Sequence, residues 1–352
     1  MKIVQIFPGK VWGGAEQYIL DLGHALESAG HDVIYVCRAA DPVTSRLEME
    51  HTSYHLYDRH LNEIMSGSDI VHIHDVSFVL AVVKAAERCG DGKPRVVLTR
   101  HIARASNTMP WRRNYFRKLH AMYFVSSVSY RLWLGANRWM DATRCSVICN
   151  SIPARKAAPA GDNADIRKRF NIPHDQPLLM FTGRVRKSKG CGVIVDALST
   201  LSRYPWHMVF VGAAKPKDYI ERLKKQASEA GIADRLHFTG FVEDARSLAA
   251  QADIGLQPSI VREACPLSSL EFMQLGKPVV ASDNGGQTEY IVDNITGLLV
   301  SPDNADALAQ AMLKLITDPG LTAQMGKAGA EEFVNSLTYN KFLEKVLKVY
   351  RG

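Results

Sequence analysis

Lys2-Ile-Val-Gln-Ile-Phe7, the loop Pro8-Gly-Lys-Val-Trp-Gly-Gly14, a periodic run Ala15–Gly30 and then His31-Asp-Val-Ile-Tyr-Val-Cys37 open the chain. The first and last stretches are short apolar runs of strand type. Between them Tyr18, Leu22, Ala25, Leu26 and Ala29 recur at helical spacing. Gly30 is a natural stop for that helix. Strand, helix and strand in this order form a β-α-β unit, the seed of a parallel sheet.

The alternation continues outward. Asp69–His74 and Pro94–Thr99 read as strands, with a helix over Phe78–Cys89 between them. The basic, aromatic segment Arg104–Arg144 reads as helix, broken near Gly135, and Cys145–Cys149 as a further strand. Ser151–Asp165 is rich in Pro, Ala, Gly and Asp and reads as a linker. A short helix near Ile166–Phe170 follows, and then a second alternation. Its strands are expected at Pro177–Thr182, His207–Val211, Leu236–Thr239, Asp253–Gln257, Pro278–Ala281 and Thr296–Val300. Its helices are expected at Cys191–Leu201, Asp218–Ala230, Ala245–Ala252, Pro266–Leu275, Thr288–Val292, Asp306–Ile316 and through Leu321–Arg351. The expected organisation is α/β: one domain over 1–155, a second over 156–335 and a terminal helix over 336–352. Two such halves imply a cleft between two sheets, with ligands at the carboxyl ends of the strands.

Composition agrees with a globular chain. At about 100–200 residues per domain, 352 residues suggest two domains, and 46% apolar residues suffice for a core in each. The six cysteines are scattered with no Cys-x-x-Cys pair, as expected of reduced thiols in a reducing compartment. The opening residues are too short for a signal-peptide core, and no apolar run reaches the ~18 residues of a membrane span. A cytoplasmic protein is therefore expected. The net charge of +7 is concentrated: Arg104–Arg144 holds eight basic residues, one acid and Trp111, Trp133 and Trp139. That mixture suits an anionic membrane surface, or equally an ordinary helix whose arginines snorkel over a core. One helical stretch is too narrow for nucleic acid, so no nucleic-acid partner is expected. No Gly-x-Gly-x-x-Gly follows the first strand and no acid closes the second, which argues against a dinucleotide-dependent dehydrogenase.

The chemistry concentrates in Arg262-Glu-Ala-Cys-Pro-Leu-Ser-Ser-Leu-Glu-Phe-Met-Gln-Leu-Gly-Lys-Pro-Val-Val-Ala281. Pro266 suits the first position of a helix. The amides of Leu267 and Ser268 would then face outward, where a helix start attracts phosphate. Glu263 precedes the helix and Glu271 lies within it, and a carboxylate can accept from neighbouring sugar or ribose hydroxyls. By spacing alone, two surface acids on an amphipathic helix are an equal reading.

Glu263-x7-Glu271 followed by Gly-Lys-Pro-Val-Val-Ala is similar to the signature of retaining glycosyltransferase family 4, whose fold is GT-B. The resemblance covers most of the chain. It implies two Rossmann-like domains facing across a cleft, with a C-terminal helix returning to the N-terminal domain. It implies that Glu263 lies near the donor sugar and Glu271 on the ribose. Ala264-Cys265 replaces the family's frequent Gly-Phe. Phe181-Thr-Gly-Arg-Val-Arg-Lys-Ser-Lys-Gly190 resembles the family's Gly-Arg…Lys-Gly loop. Gly183 would permit close approach, while Arg184 and Lys189 would neutralise a diphosphate and the charge on it as it leaves. With two cations in that place, no metal and no cofactor are expected. Gly13-Gly14-Ala15-Glu16 resembles the N-terminal Gly-Gly-x-Glu loop. His101 follows a strand where the family places a histidine near the reacting carbon. His74 ends a strand and, with Glu16, is a candidate for acceptor contact. Gly240-Phe241-Val242 resembles the base-binding loop, with Val242 at the base. Asn150-Ser151 falls at the hinge, and Asp283-Asn-Gly-Gly286 with Glu289 resembles the loop after the Glu motif.

The function so implied is metal-independent transfer, with retention, of a hexose-type sugar from a nucleotide diphosphate sugar, UDP before GDP. The acceptor would be a glycan or lipid-linked glycan, in bacterial lipopolysaccharide or surface polysaccharide assembly at the inner face of the plasma membrane. Two alternatives stand beside it, a sugar-nucleotide epimerase on the same fold and a non-enzymatic nucleotide-binding protein.

Overall fold

The computed structural model describes residues 1–9, 12–38, 43–58, 60–154 and 165–352. The chain forms two compact units, Met1–Pro153 with Tyr339–Gly352, and Ala154–Thr338. Most of the expected linker, residues 155–164, lies outside the described residues.

The first unit runs β1 (Lys2–Phe7), α1 (Gly14–Ser28), β2 (Asp32–Cys37), α2 (Val43–Met49), β3 (Tyr54–Leu56), α3 (Leu61–Met65), β4 (Ile70–Ile73) and α4 (Val79–Glu87). It continues with β5 (Arg95–Arg100), α5 (Arg113–Phe116), β6 (Ala121–Phe124), α6 (Ser127–Ala136) and β7 (Cys145–Val147). The sheet has the order β3-β2-β1-β4-β5-β6-β7, and its strand pairs are parallel. A parallel strand covered on both sides needs apolar residues of both parities. In β1, Val4 and Ile6 join one core, while Ile3 and Phe7 join the other.

The second unit runs α7 (Ile166–Arg169), β8 (Leu178–Thr182), α8 (Cys191–Ser199), β9 (His207–Val211), α9 (Tyr219–Glu229), β10 (Leu236–Gly240) and α10 (Ala245–Ala249). It continues with β11 (Ile254–Gln257), α11 (Leu267–Gln274), β12 (Val279–Ser282), β13 (Gly297–Val300), α12 (Ala305–Ile316) and α13 (Pro319–Ser336). Its sheet is also parallel, in the order β10-β9-β8-β11-β12-β13. Leu179, Phe181, Met208, Phe210 and Leu256 fill the core, and the fully buried Trp206 donates to the Leu201 carbonyl at 2.8 Å. Asn304 and Asp318 cap α12 and α13, accepting from Ala307 N and Leu321 N.

The last helix, α14 (Tyr339–Arg351), belongs to the first unit. Phe342, Val346 and Tyr350 recur one turn apart and are buried against the α1 side of the sheet. Burying Phe342 and Val346 contributes roughly 1.5–3 kcal/mol each.

Both sheets reverse their order once, at β1/β4 in the first unit and at β8/β11 in the second. In open parallel sheets such a reversal opens a crevice at the strand carboxyl ends, where ligands bind. Each unit therefore has one topologically marked place for a site.

The segment Arg104–Arg144 departs from the expected helix. It holds a loop, the short α5, strand β6 and helix α6. Leu119 to Val125 is a near-continuous apolar run, which cannot be told from a buried helix by periodicity. Trp133 is buried against Arg100, whose guanidinium lies 4.3 Å from the ring centroid. Trp139 packs under Arg113 and Arg117. Of the three tryptophans only Trp111 stands out into solvent, 63% exposed. Pro266 likewise caps α11 from the extended conformation and is not its first helical residue. The expected helix at Thr288–Val292 is a 3-10 turn over Gly286–Glu289.

Candidate active site

In the second unit β8 ends at Thr182 and hands the chain to Gly183, with φ +139°, and to Arg184. Arg184 is exposed and makes no hydrogen bond or ion pair among the described residues. A 3-10 turn, Lys187–Lys189, brings the chain to Gly190. Gly190 has φ +76°, and a Cβ there would sit 1.9 Å from the Pro258 carbonyl oxygen. Only glycine fits that approach, and it presses the β8 loop against the loop after β11. Two backbone bonds complete the joint, Ile260 N and Val261 N donating to Ser188 O at 3.0 and 3.4 Å.

Across that joint the Lys189 ammonium meets Glu263 Oε1 at 2.8 Å, and both side chains are partly buried. Ser259 Oγ donates to the same Oε1 at 2.9 Å. Gln257 Nε2 donates to Ser259 Oγ at 3.1 Å, and Ser268 Oγ donates to Gln257 Oε1 at 2.9 Å. A directed chain thus runs from the first turn of α11 through Gln257 and Ser259 to the carboxylate. The far side of the loop is fixed too. Asn284 Nδ2 donates to Ile260 O at 3.0 Å, and Gly286 N donates to Glu263 O at 2.9 Å. A Cβ on Gly285 would lie 2.6 Å from Glu263 O, so this neighbour also has to be glycine.

No side chain caps α11, which leaves its first-turn amides at Leu267 and Ser268 without a side-chain acceptor. Tyr290 OH holds the approach by donating to the Pro266 carbonyl at 3.1 Å. Glu271 lies further along α11, partly buried. Val242 follows β10 at the sheet edge, beside Phe241, which is 71% exposed.

In the first unit the polar residues fall on one face. β1 pairs Gln5 with His72, and β5 pairs Thr99 with Tyr123 across to β6. His72 Nε2 meets Thr99 Oγ1 at 2.6 Å, and Tyr350 OH meets His72 Nδ1 at 2.8 Å. The hydroxyls of Tyr18 and Tyr123 are 2.6 Å apart. His74 Nε2 lies 2.7 Å from Gln5 Oε1, and His74 Nδ1 lies 3.2 Å from His101 Nε2. The Tyr18 ring meets His101 edge-on at 4.8 Å. Burial pulls His101 down to about 4, opposed by the carboxylate of Asp75. It pulls His72 and His74 well below the usual imidazole value, with neighbouring histidines adding to the effect. All three rings are neutral at pH 7.

His74 is buried with both ring nitrogens engaged, so it does not stand free to contact an acceptor as the strand-end reading expected. The loop after His101 is clamped from inside. Arg100 donates to Arg104 O and Ser106 Oγ, Ser129 Oγ to Ile102 O, and Asn137 Nδ2 to Ser106 O. Gly13 is the N-cap of α1, Gly14 its first residue, and Glu16 lies in its first turn, partly buried. Asn150 and Ser151 are buried near the end of the unit.

The structure therefore brings Lys189 and Glu263 into contact, links Ser268 to them, and starts the same loop with Gly183 and Arg184. It joins His74 to His101 in the other unit. Sequence reading missed Gln257, Ser259, Gln5, Tyr18 and Tyr123. The signal for two of them was present: a glutamine in an otherwise apolar strand, in Lys2–Phe7 and again in Asp253–Gln257. Among the described residues no group of three or more His, Cys, Asp or Glu side chains could hold a metal ion, and no helix is long and apolar enough to cross a membrane.

Solved structures share this fold across the whole chain. A glycosyltransferase from Rickettsia africae superposes with a TM-score of 0.88 at 23% identity, covering 99% of this chain and 97% of that one. Anabaena HepE in complex with UDP and glucose superposes with a TM-score of 0.84 at 19% identity, covering 99% and 98%. The fold is thus GT-B. Residues 12–156 match the family model of glycosyltransferase family 4, and residues 162–332 match that of glycosyl transferases group 1. By these two domains the chain is a member of the GT-B glycosyltransferases. A GDP-mannose-dependent alpha-(1-6)-phosphatidylinositol monomannoside mannosyltransferase of Mycobacterium tuberculosis is 30% identical over 199 residues, 54% of this chain and 51% of that relative. The chain spans about half the length of this curated relative.

Proposed function

We propose that the protein transfers a hexose-type sugar, with retention and without a metal ion, from a UDP-sugar to a glycan or lipid-linked glycan. The observation that carries this reading is the Lys189–Glu263 pair, set where the sheet order reverses and beside an uncapped helix start. Arg184 and Lys189 meet the diphosphate, and the amides of Leu267 and Ser268 add partial positive charge from the helix. As the sugar–phosphate bond breaks, negative charge grows on the diphosphate and these groups stabilise it. Glu263 faces the sugar and Glu271 the ribose. Gly183 and Val242 line the nucleotide, with Gly13 and Gly14 beside the phosphates. His101 faces the sugar, and Glu16 the acceptor. The acceptor attacks the face that the diphosphate leaves, and a phosphate oxygen takes its proton.

HepE in complex with UDP and glucose supports a uridine donor, whereas the mycobacterial relative is GDP-mannose-dependent. A thermal-shift panel of UDP, GDP and ADP decides, because the ligand that binds the folded state raises its apparent stability. Transfer from the corresponding sugar nucleotide must then give product with the donor's anomeric configuration by NMR. Inverted product refutes retention. Conversion of the sugar nucleotide without acceptor makes the protein an epimerase instead.

We also propose that the first unit touches an anionic membrane at a cytoplasmic location. Met109 and Trp111 are 62% and 63% exposed beside the exposed Arg104, which is an interfacial combination. Sedimentation with vesicles containing anionic lipid at low salt tests this, and equal recovery with and without vesicles rejects it.

A further inference from the structure

The polar layer under His101 does more than fill space. An amide oxygen only accepts, so Gln5 Oε1 at 2.7 Å requires a proton on His74 Nε2. A neutral imidazole carries one proton, so His74 Nδ1 is a lone pair. His101 Nε2, 3.2 Å from that lone pair, must therefore carry its own proton. His101 Nδ1 is left as a lone pair, and it makes no hydrogen bond among the described residues. The direction of the whole chain follows from the orientation of one amide at its buried end: Gln5 is fully buried with Oε1 toward His74, and its Nε2 has no partner among the described residues.

We propose that Gln5 and His74 are positioning residues that fix the tautomer of His101, so that its Nδ1 presents a hydrogen-bond acceptor to a hydroxyl of the bound sugar. This rests on the reading that His101 faces the sugar. The consequence is a preference in substrate chemistry. A bare nitrogen receives a hydroxyl but repels a carboxylate oxygen, so the site takes neutral hexoses in preference to uronic acids. Neutral imidazoles are what the burial of the layer enforces, and a relay of neutral rings keeps a single direction. The Tyr18 ring, edge-on to His101, holds the imidazole plane.

The test is nitrogen-15 NMR of histidine-labelled protein, with His101 identified by the resonance lost in His101→Gln. The wild type should show His101 protonated at Nε2 and bare at Nδ1 at pH 7. In Gln5→Leu the amide oxygen is gone, and His101 should become a mixture of tautomers, with kcat/KM falling about fivefold, as for one lost hydrogen bond. UDP-glucose should be preferred to UDP-glucuronate in the wild type, and the preference should shrink in Gln5→Leu. A wild-type His101 protonated at Nδ1 or charged at pH 7 overturns the proposal, and this measurement needs no variant to fold. The same tautomer in wild type and Gln5→Leu also overturns it. A protein that holds the expected tautomer but transfers no sugar would sink the proposed function and leave the relay standing.

Discussion

Replacing Ser259 by alanine separates an oriented carboxylate from one merely present. Ser259 is fully buried, donates to Glu263 Oε1 at 2.9 Å and accepts from Gln257 Nε2 at 3.1 Å. The substitution removes a hydrogen bond to a charged group, which contributes about 1.5–3 kcal/mol, and strands a buried amide donor, which costs about 1–3 kcal/mol. The two terms overlap, because Glu263 keeps Lys189 and Gln257 keeps Ser268. A net loss of about 2 kcal/mol is expected, which for a unit of this size lowers Tm by roughly 4–8 °C. Catalysis should suffer separately. With one of its two anchors gone, Glu263 samples more positions, and kcat/KM should fall about 5–30-fold, equivalent to about 1–2 kcal/mol at the transition state. Affinity for UDP alone should stay within about threefold, since Glu263 is assigned to the sugar. Scanning calorimetry, steady-state transfer and UDP titration read the three quantities. The pair Gln257→Leu and Ser259→Ala provides the internal check. If they act through one chain, the double variant costs less than the sum of the singles by about 1–2 kcal/mol. Unchanged kcat/KM in Ser259→Ala, or strict additivity in the double, refutes the idea that this chain positions Glu263.

Other perturbations test the remaining parts. Arg184→Ala should leave stability within about 0.5 kcal/mol, because the exposed side chain has no partner among the described residues, yet weaken UDP binding about tenfold by calorimetry. Wild-type affinity would remove Arg184 from the donor set. Gly190→Ala forces a Cβ to 1.9 Å from the Pro258 oxygen at φ +76°, and should destabilise the second unit by more than about 3 kcal/mol, with loss of soluble protein. A soluble variant with wild-type Tm would show that the two loops are not in contact. For pH, His101, His72 and His74 have folded-state values below that of a free imidazole. Protonation then favours the unfolded chain. Their contribution is complete above about pH 6.5 and is lost as pH falls toward 4. Urea denaturation at stepped pH should show stability declining over that interval, and His74→Phe should flatten the decline.

The alternation of strands and helices was legible because each strand is a short apolar run closed by a turn residue. It failed where that rule lacks contrast. β6 lies in Leu119–Val125, inside a basic stretch, and only pairing with β5 and β7 makes it a strand. The loops of the candidate site were legible as loops, and their residues as charge carriers. What the sequence withheld was contact. Lys189 and Glu263 lie on loops after different strands, and their 2.8 Å pairing follows from the adjacency of β8 and β11. Likewise Tyr350, at the end of the chain, reaches His72 only because α14 folds back within the first unit. Residue type and spacing report what a side chain can do, whereas strand order decides what it meets.

Electrostatics then divides the work between the units without reference to any relative. The polar layer of the first unit is buried and neutral: three uncharged imidazoles, tyrosine hydroxyls, a threonine and an amide. An anion placed among these uncharged groups would have to be desolvated, at a cost of several kcal/mol. The second unit offers the opposite setting. Its Lys189–Glu263 pair is only partly buried, Arg184 is exposed and unpaired among the described residues, and α11 begins without a side-chain cap. On the proposed reading, a diphosphate there would exchange water for cations and amides. This contrast supports the proposed assignment of the anionic part of a sugar nucleotide to the second unit. The neutral layer of the first is suited to hydroxyls, which need direction more than charge.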